Sequence, residues 1–278
     1  MNVNARELEL EIKRMIDGTG IFNRIFARVK DIDSIKRKIE SKNYEATGKK
    51  MQDLIGVRIV LYFNDDIEFI KSLLISKYDL IEEVHDQNDT EKFGPTRLNL
   101  VFRLPEYAEK SVSLYLQNDL IDSTFEIQIR SVFSEGWHEV EHDLRYKCKD
   151  EWQEFTDESR TLNGILATLE NCDWSVRMLF EELAYKNYKK RNVKAMVKNK
   201  FRLRFGEAEI NTKILDELEQ NHELLKLLYR SNRNEVLEAL IEYRLPVNYD
   251  NIIFITNKLV IKNETINDLT PKYMFDVV

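Results

Sequence analysis

The sequence predicts an α+β fold, a mixed β-sheet flanked by helices and followed by a mostly helical carboxyl-terminal region. Three observations lead there. Residues 53–63 and 126–130 concentrate or alternate apolar side chains at the two-residue period of a strand. Between such runs the apolar residues recur every three to four positions, as on one side of a helix. After residue 131 the helical period takes over.

Taken in order, residues 5–16 predict a helix with Leu8, Leu10, Ile12 and Ile16 as its apolar members, punctuated by Gly18 and Gly20. Residues 21–42 predict a second helix carrying Arg24, Arg28, Lys30, Lys36, Arg37 and Lys38; charge alone leaves a solvated basic face as the plain alternative. Residues 53–63 predict a strand in which Gly56 marks a bulge or a close backbone approach. A helix follows over 65–74, and strands over 80–84, 98–104 and 124–130, giving four strands interleaved with helices. From Val132 the spacing of Phe133, Trp137, Val140, Leu144 and Lys147 predicts a helix with these residues on one side. Further helices are expected over 161–185, 211–228 and 231–242. Residues 252–255 and 259–261 read either as short strands or as buried helical turns. The composition shift at 190–206 divides the chain into residues 1–190 and a carboxyl-terminal extension, 191–278.

With 278 residues, 43% of them hydrophobic, the chain can bury a real core and two folded units. A net charge of -7 gives no global attraction to nucleic acid or acidic membranes. Cys148 and Cys172 are too few for a disulfide framework. The first 16 residues are charged and amphipathic, and no apolar run reaches the length of a membrane span, so a cytoplasmic protein is expected.

The strand 126–130 presents Glu126, Gln128 and Arg130 together and feeds directly into a helix, a rigid mount for a polar site. Asp53 and Glu126 each open an apolar strand, where an unpaired charge is costly. Two such carboxylates suit Mg²⁺, which takes one or two of them together with substrate phosphates. Arg28, Lys30, Lys38 and Arg58 would then grip the phosphates. Carboxylates beside a cationic cradle have the composition of a phosphoryl-transfer site, with structural ion pairs as the alternative. His138-Glu139-Val140-Glu141-His142 also matches the H-E-x-x-H pattern of zinc hydrolases, a five-residue match that arises by chance on a helix packing Trp137 and Val140 inward. Residues 186–204 hold nine basic and no acidic side chains, a candidate RNA-backbone contact or simply a solvated helix face.

Four groups of residues, in order, resemble the synthetase domain of the RelA/SpoT alarmone enzymes, over roughly residues 10–185. They are Arg28-x-Lys30 with Ser34 and Lys38; Asp53-x-x-Gly56-x-Arg58; Glu126-Ile127-Gln128-Ile129-Arg130; and Trp137 with Glu141-His142-x-Leu144-x-Tyr146-Lys147. The resemblance implies a nucleotidyltransferase-like core and transfer of pyrophosphate from ATP to the ribose 3′-hydroxyl of a nucleotide. That is (p)ppGpp synthesis, the chemistry of guanosine tetraphosphate metabolism and the stringent response. It implies Arg28 and Arg58 on the faces of the adenine, and Lys30, Ser34 and Lys38 on phosphates. It further implies Asp53 as Mg²⁺ ligand, Glu126 as metal-orienting residue and base, and Gln128 as an acceptor contact.

The chain departs from the family where a Gly-Tyr-x-Ser-x-His loop normally stacks on the acceptor base. Here the stretch is Gly94-Pro95-Thr96-Arg97-Leu98-Asn99, with Phe93 beside it, and Glu135 replaces an Asn or Asp. Phe93, Arg97, Asn99 and Glu135 are thus the acceptor-side candidates with Gln128. The acceptor is left open among a guanine nucleotide, an adenine nucleotide and the 3′ end of tRNA, the last as used by growth-blocking toxins and held by residues 186–204. A catalytically silent ATP sensor is the non-enzymatic alternative. The family's hydrolase domain has no counterpart. The carboxyl-terminal helices, with Ile214, Leu218, Leu225, Leu228, Val236 and Leu240 at packing spacing, are expected to extend the structure, mediate a homo-oligomer or bind a regulatory partner.

Overall fold

The computed structural model describes residues 3–85, 98–207 and 209–275, with side chains from residue 5 onward and without that of His85. The elements run α1 (Val3–Asp17), β1 (Asn23–Val29), α2 (Ile32–Lys42), α3 (Tyr44–Thr47), β2 (Ile55–Leu61), α4 (Ile67–Lys77), β3 (Leu80–His85), β4 (Leu98–Arg103), α5 (Glu106–Ser111), β5 (Thr124–Ser131), α6 (Val132–Glu141), α7 (Lys149–Trp152) and α8 (Thr156–Lys189). Six more helices follow: α9 (Val193–Phe201), α10 (Thr212–Gln220), α11 (His222–Arg230), α12 (Arg233–Glu242), α13 (Tyr249–Thr256) and α14 (Glu264–Leu269). The chain divides into two compact units, one of residues 1–14 and 23–174, the other of residues 15–22 and 175–278.

In the first unit five strands form one mixed sheet in the order β1-β2-β5-β4-β3. β2 and β5 run parallel, and the other neighbours are antiparallel. The register sorts side chains cleanly. Ile25, Val29, Ile55, Val57, Ile59, Phe125, Ile127, Ile129, Leu98, Leu100 and Phe102 share one face and are all buried. Tyr78 packs against Phe102 and Phe125 on that side, and α4 contributes Phe69, Ile70 and Leu74 to the core. The opposite face carries Arg24, Phe26, Arg28, Arg58, Glu126, Gln128, Arg130 and Asn99. Successive residues of a strand point to opposite faces, so a two-residue polar period makes a polar face.

The strand β1 corrects the sequence reading, which made residues 21–42 one helix and the sheet four-stranded. Asn23-Arg-Ile-Phe-Ala-Arg-Val buries Asn23, Ile25 and Val29 and exposes Arg24, Phe26 and Arg28, a strand period that the basic residues obscured. The helix starts only at Ile32, where the Asp31 carboxylate accepts from the Ser34 backbone N–H at 2.8 Å as N-cap. Gly56 is not a bulge either. It keeps regular register with Arg28 on one side and Glu126 on the other.

Helix α6 also differs. Trp137 is buried, but Val132, Val140 and Leu144 are exposed, and the inward positions go to His138 and Glu141. The reason lies in the neighbours. α6 follows β5 directly, and it turns Glu135 and Glu139 to Arg58 and Arg130 of the polar sheet face, so charged pairs replace an apolar stripe there.

In the second unit, Gly20 sits at φ +73° in the turn after α1, and the Arg204 backbone N–H donates to its carbonyl at 2.7 Å. The expected helix 211–228 is two helices broken at Asn221, whose side chain accepts from the Glu223 and Leu224 N–H groups. The ambiguous tail is helical: α13 leads into a π-helical turn, Asn257–Ile261. No helix among the described residues is long and apolar enough to cross a membrane.

Candidate active site

The site stands on the polar face of the first unit's sheet. Asp53 lies just ahead of β2, where backbone contacts pin the segment. Met51 N–H donates to Leu120 O at 2.8 Å, Asp122 N–H to Met51 O at 2.9 Å and Thr124 Oγ1 to Gln52 O at 2.8 Å. On the β1 side, Lys30 N–H donates to Leu54 O at 3.0 Å. Asp53 is therefore fixed between β1 and β5.

Both ammonium groups predicted to handle phosphate converge on it. Lys38 Nζ stands 2.6 Å and Lys30 Nζ 3.0 Å from Asp53 Oδ2. The other oxygen, Oδ1, is buried and accepts no hydrogen bond among the described residues. Burial pushes the Asp53 carboxyl up, but the two lysine charges outweigh it and hold the group below the usual carboxylate range.

Glu126 is the opposite case. Burial first, and then the negative charge of Asp53, push its carboxyl above the usual range against the opposing pull of Lys38, Gln128 and Lys30. Two carboxylates within electrostatic reach, one held low and one pushed high, make this edge of the sheet the candidate site.

From Glu126 a line of hydrogen bonds crosses the sheet. Gln128 Nε2 donates to Glu126 Oε2 at 3.2 Å, and Arg130 Nη2 donates to Gln128 Oε1 at 3.1 Å. Arg130 Nη1 donates to Glu135 Oε2 at 2.9 Å. Arg58 Nη1 donates to the second oxygen, Glu135 Oε1, at 2.8 Å and also to Glu139. Glu135, expected on the acceptor side, thus binds two arginines of the chain. Glu139, singled out only as the glutamate of H-E-x-x-H, is the second carboxylate on Arg58. His138 and His142 have ring centroids 6.1 Å apart, with His142 beside Asp143 and stacked on Tyr146. Among the described residues no group of three His, Cys, Asp or Glu is placed to hold a metal.

Arg28 is exposed on β1. It and Arg58 are diagonal neighbours on one face, because Arg28 pairs with Gly56 and Phe26 with Arg58. The diagonal spacing of antiparallel strands, about 7–8 Å, suits one flat ring between two guanidinium planes. A Cβ added to Gly56 would meet nothing within 4 Å. The row Arg28–Gly56–Glu126 thus has an open hollow at its centre. Phe26, 56% exposed opposite Arg58, is a ring that the sequence reading missed once β1 was taken for a helix.

Ser34 is brought near by α2 but is engaged locally: its hydroxyl donates to Asp31 Oδ2 at 2.8 Å and accepts from Arg37 at 3.2 Å. Asn99 stands on β4 opposite Gln128, with its Oδ1 buried and accepting no hydrogen bond among the described residues. Phe93, Arg97 and most of the loop 94–99 lie outside the described residues.

The basic stretch 186–204 does not form one cationic face. Lys186 pairs with Glu182, Lys194 with Glu209 and Arg204 with Asp17. Lys200 donates to Ser231 O at 2.8 Å, and Arg202 is buried.

A mixed sheet with paired carboxylates and a cationic surround defines a nucleotide-transfer class of site, and comparison with known proteins narrows it. Residues 27–151 match the family described as the region found in RelA / SpoT proteins. GTP pyrophosphokinase YwaC of Bacillus subtilis (strain 168) is 32% identical over 151 residues, which cover 52% of this chain and 68% of that one. GTP pyrophosphokinase YjbM of the same organism is 32% identical over 131 residues, covering 44% of this chain and 56% of the relative. A crystal structure of the small alarmone synthetase 1 from Bacillus subtilis aligns with a TM-score of 0.48 at 23% identity, over 63% of this chain and 89% of that one. The chain belongs to the RelA/SpoT family.

Proposed function

We propose that this chain is an ATP-dependent nucleotide pyrophosphokinase of the (p)ppGpp-synthesising type, moving the β and γ phosphoryl groups of ATP to the 3′-oxygen of a guanosine di- or triphosphate. The observation that carries the reading is the Asp53–Glu126 pair, one carboxylate held low by two lysines and the other raised beside it. Both relatives named above are GTP pyrophosphokinases. An adenine-nucleotide acceptor uses the same chemistry. The tRNA reading draws less support, because acids and the fold itself take up part of the 186–204 charge.

The residues fit a divalent cation. Asp53 Oδ1 is a buried carboxylate oxygen without a hydrogen bond among the described residues, and the Glu126 charge is disfavoured by burial and by Asp53. Asp53 and Glu126 would hold Mg²⁺, which when bound supplies neutralisation of phosphate charge. Lys30 and Lys38 bring two further positive charges to the same edge for the polyphosphate. Arg28 and Arg58, with Phe26 beside them, take the adenine over the Gly56 hollow. Gln128 and Asn99 face the acceptor. Glu126, whose raised pKa brings it nearer the operating pH, accepts the 3′-hydroxyl proton as that oxygen attacks the β phosphorus. The P–O bond to the α phosphate breaks, and AMP leaves. Positioning and charge neutralisation carry such a transfer.

The test incubates purified protein with γ-labelled ATP, Mg²⁺ and, separately, GDP, GTP, AMP and bulk tRNA, beside a Glu126→Gln control. Label passing to GDP or GTP in wild type alone is the expected result. ATP binding with no labelled acceptor would replace the enzyme by the nucleotide sensor.

A further inference from the structure

We infer that Arg130, anchored on Glu135, is a positioning residue that fixes the Gln128 amide so that its N–H₂ side is turned to Glu126. The inference rests on the functional reading above for its catalytic consequence, but its geometry stands on the hydrogen bonds alone. An amide can turn either its oxygen or its nitrogen toward a neighbour, and only the neighbours decide. A guanidinium donates and never accepts, so Arg130 can meet Gln128 only through Oε1. The nitrogen is thereby forced to the far side, where Nε2 donates to Glu126 Oε2. A carboxylate accepts this proton, and a flipped amide would turn its oxygen on the same carboxylate.

Arg130 can do this because it is buried and held at both ends of its fork. Its side chain is 2% exposed, and its Nη1 is held by Glu135 Oε2. Glu135 in turn is held on α6 with its other oxygen on Arg58. The carboxylate therefore joins the two halves of the site: one oxygen orients an arginine beside the adenine hollow, the other an arginine that orients the acceptor-side amide. Both guanidiniums are planar forks, and a lysine supplies no such pair of divergent donors. The remaining charged groups around Glu126, namely Asp53, Lys30, Lys38 and Arg28, lie on its other flank and leave the Gln128 side to this one line.

Two variants test it. Arg130→Lys keeps the cation and removes the fork; Glu135→Gln keeps the volume and removes the anchoring charge. Outer partners of this kind change activity by about 10- to 100-fold. Arg130→Lys is expected to lower kcat by that amount while KM for ATP stays within about twofold. Glu135→Gln is expected to lower kcat and raise KM for ATP together, because Arg58 shares the carboxylate. In ¹⁵N-labelled protein, the two Gln128 side-chain amide protons are expected to be well separated in wild type and to converge in both variants. Folded variants with unchanged Gln128 signals and unchanged kcat would overturn the inference. If wild type transfers no label, the functional reading fails by itself, and the amide signals still decide the positioning.

Discussion

Replacing the two carboxylates one at a time should affect stability differently, although both changes are expected to abolish turnover. In the protein free of metal and nucleotide, Asp53 is the acceptor for Lys30 and Lys38 among the described residues, at 3.0 and 2.6 Å. A hydrogen bond to a charged group contributes about 1.5–3 kcal/mol. The lysines remain 20% and 31% exposed and regain water when released, so the two contacts together come to roughly 2 kcal/mol rather than twice that figure. Asp53→Asn should therefore lower the melting temperature, by about 4–8 °C at 2–4 °C per kcal/mol for a unit of this size. Glu126→Gln removes a charge that burial and Asp53 both oppose, while the hydrogen-bonding shape survives. It should leave the melting temperature unchanged or raise it.

The pH dependence follows the same signs. Asp53 has a lowered folded pKa, so its stabilisation is present above the ordinary value of 3.8 and is lost as pH falls through the folded value. Glu126 has a raised one, so its cost appears above 4.5 and grows as pH rises through the folded value. Scanning calorimetry in EDTA from about pH 2 to pH 8 would measure both. Equal destabilisation by the two variants at neutral pH would refute the assignment of opposite electrostatic roles.

Gly56→Ala places a methyl in open space on a regular strand, so stability should rise by about 0.5–1 kcal/mol in urea titrations. The same methyl fills the hollow between Arg28 and Glu126, and KM for ATP should rise; an unchanged KM would mean the hollow is not used. Asn99→Ala should raise KM for the acceptor and leave that for ATP alone, as steady-state kinetics would show. Lys200 is drawn down to about 8, first by burial and then by Arg233 and Arg202. Its penalty is full below that value and is relieved as pH rises toward the unfolded 10.5, so wild type should gain about 2 kcal/mol relative to Lys200→Met between pH 7 and 10. Gly20→Ala should cost about 1–2 kcal/mol in chemical denaturation, since φ is +73° and the new Cβ lies 3.0 Å from both γ carbons of Val247.

The two carboxylates proposed for the site stood out in the sequence because each is a charge at the mouth of an apolar strand. That contradiction has few structural excuses, and the two groups do come together in the fold. The second-order partners were not legible. Arg130 was visible as the third polar position on β5, but nothing local says that its fork reaches both Gln128 and Glu135. Glu139 lies 81 residues from Arg58, a separation that no periodicity can report. The loss of β1 to a helix has a local cause. Its outward residues are Arg, Phe and Arg, so the alternation is carried by Asn23, Ile25 and Val29 against a background of charge. That one error hid Phe26 and the diagonal relation of Arg28 to Arg58.

The acceptor side repays the same reasoning. Of the side chains expected there, Glu135 has both oxygens on arginines, and Gln128 has its oxygen on Arg130 and its nitrogen on Glu126. Both are thus ordered by protein partners, although the second Gln128 N–H and the second lone pairs of these oxygens stay available to a nucleotide. Asn99 differs: it sits directly across from Gln128 and keeps a buried oxygen uncommitted among the described residues. A buried acceptor without a donor costs about 1–3 kcal/mol, and a bound nucleotide offering an N–H or O–H there returns it. The position that departs from the family's histidine is thus the one whose hydrogen bonding remains open. Recognition of the acceptor through Asn99, beside a Gln128 held to Glu126, is the expectation that this uncommitted oxygen supports, and the Asn99→Ala kinetics decide it.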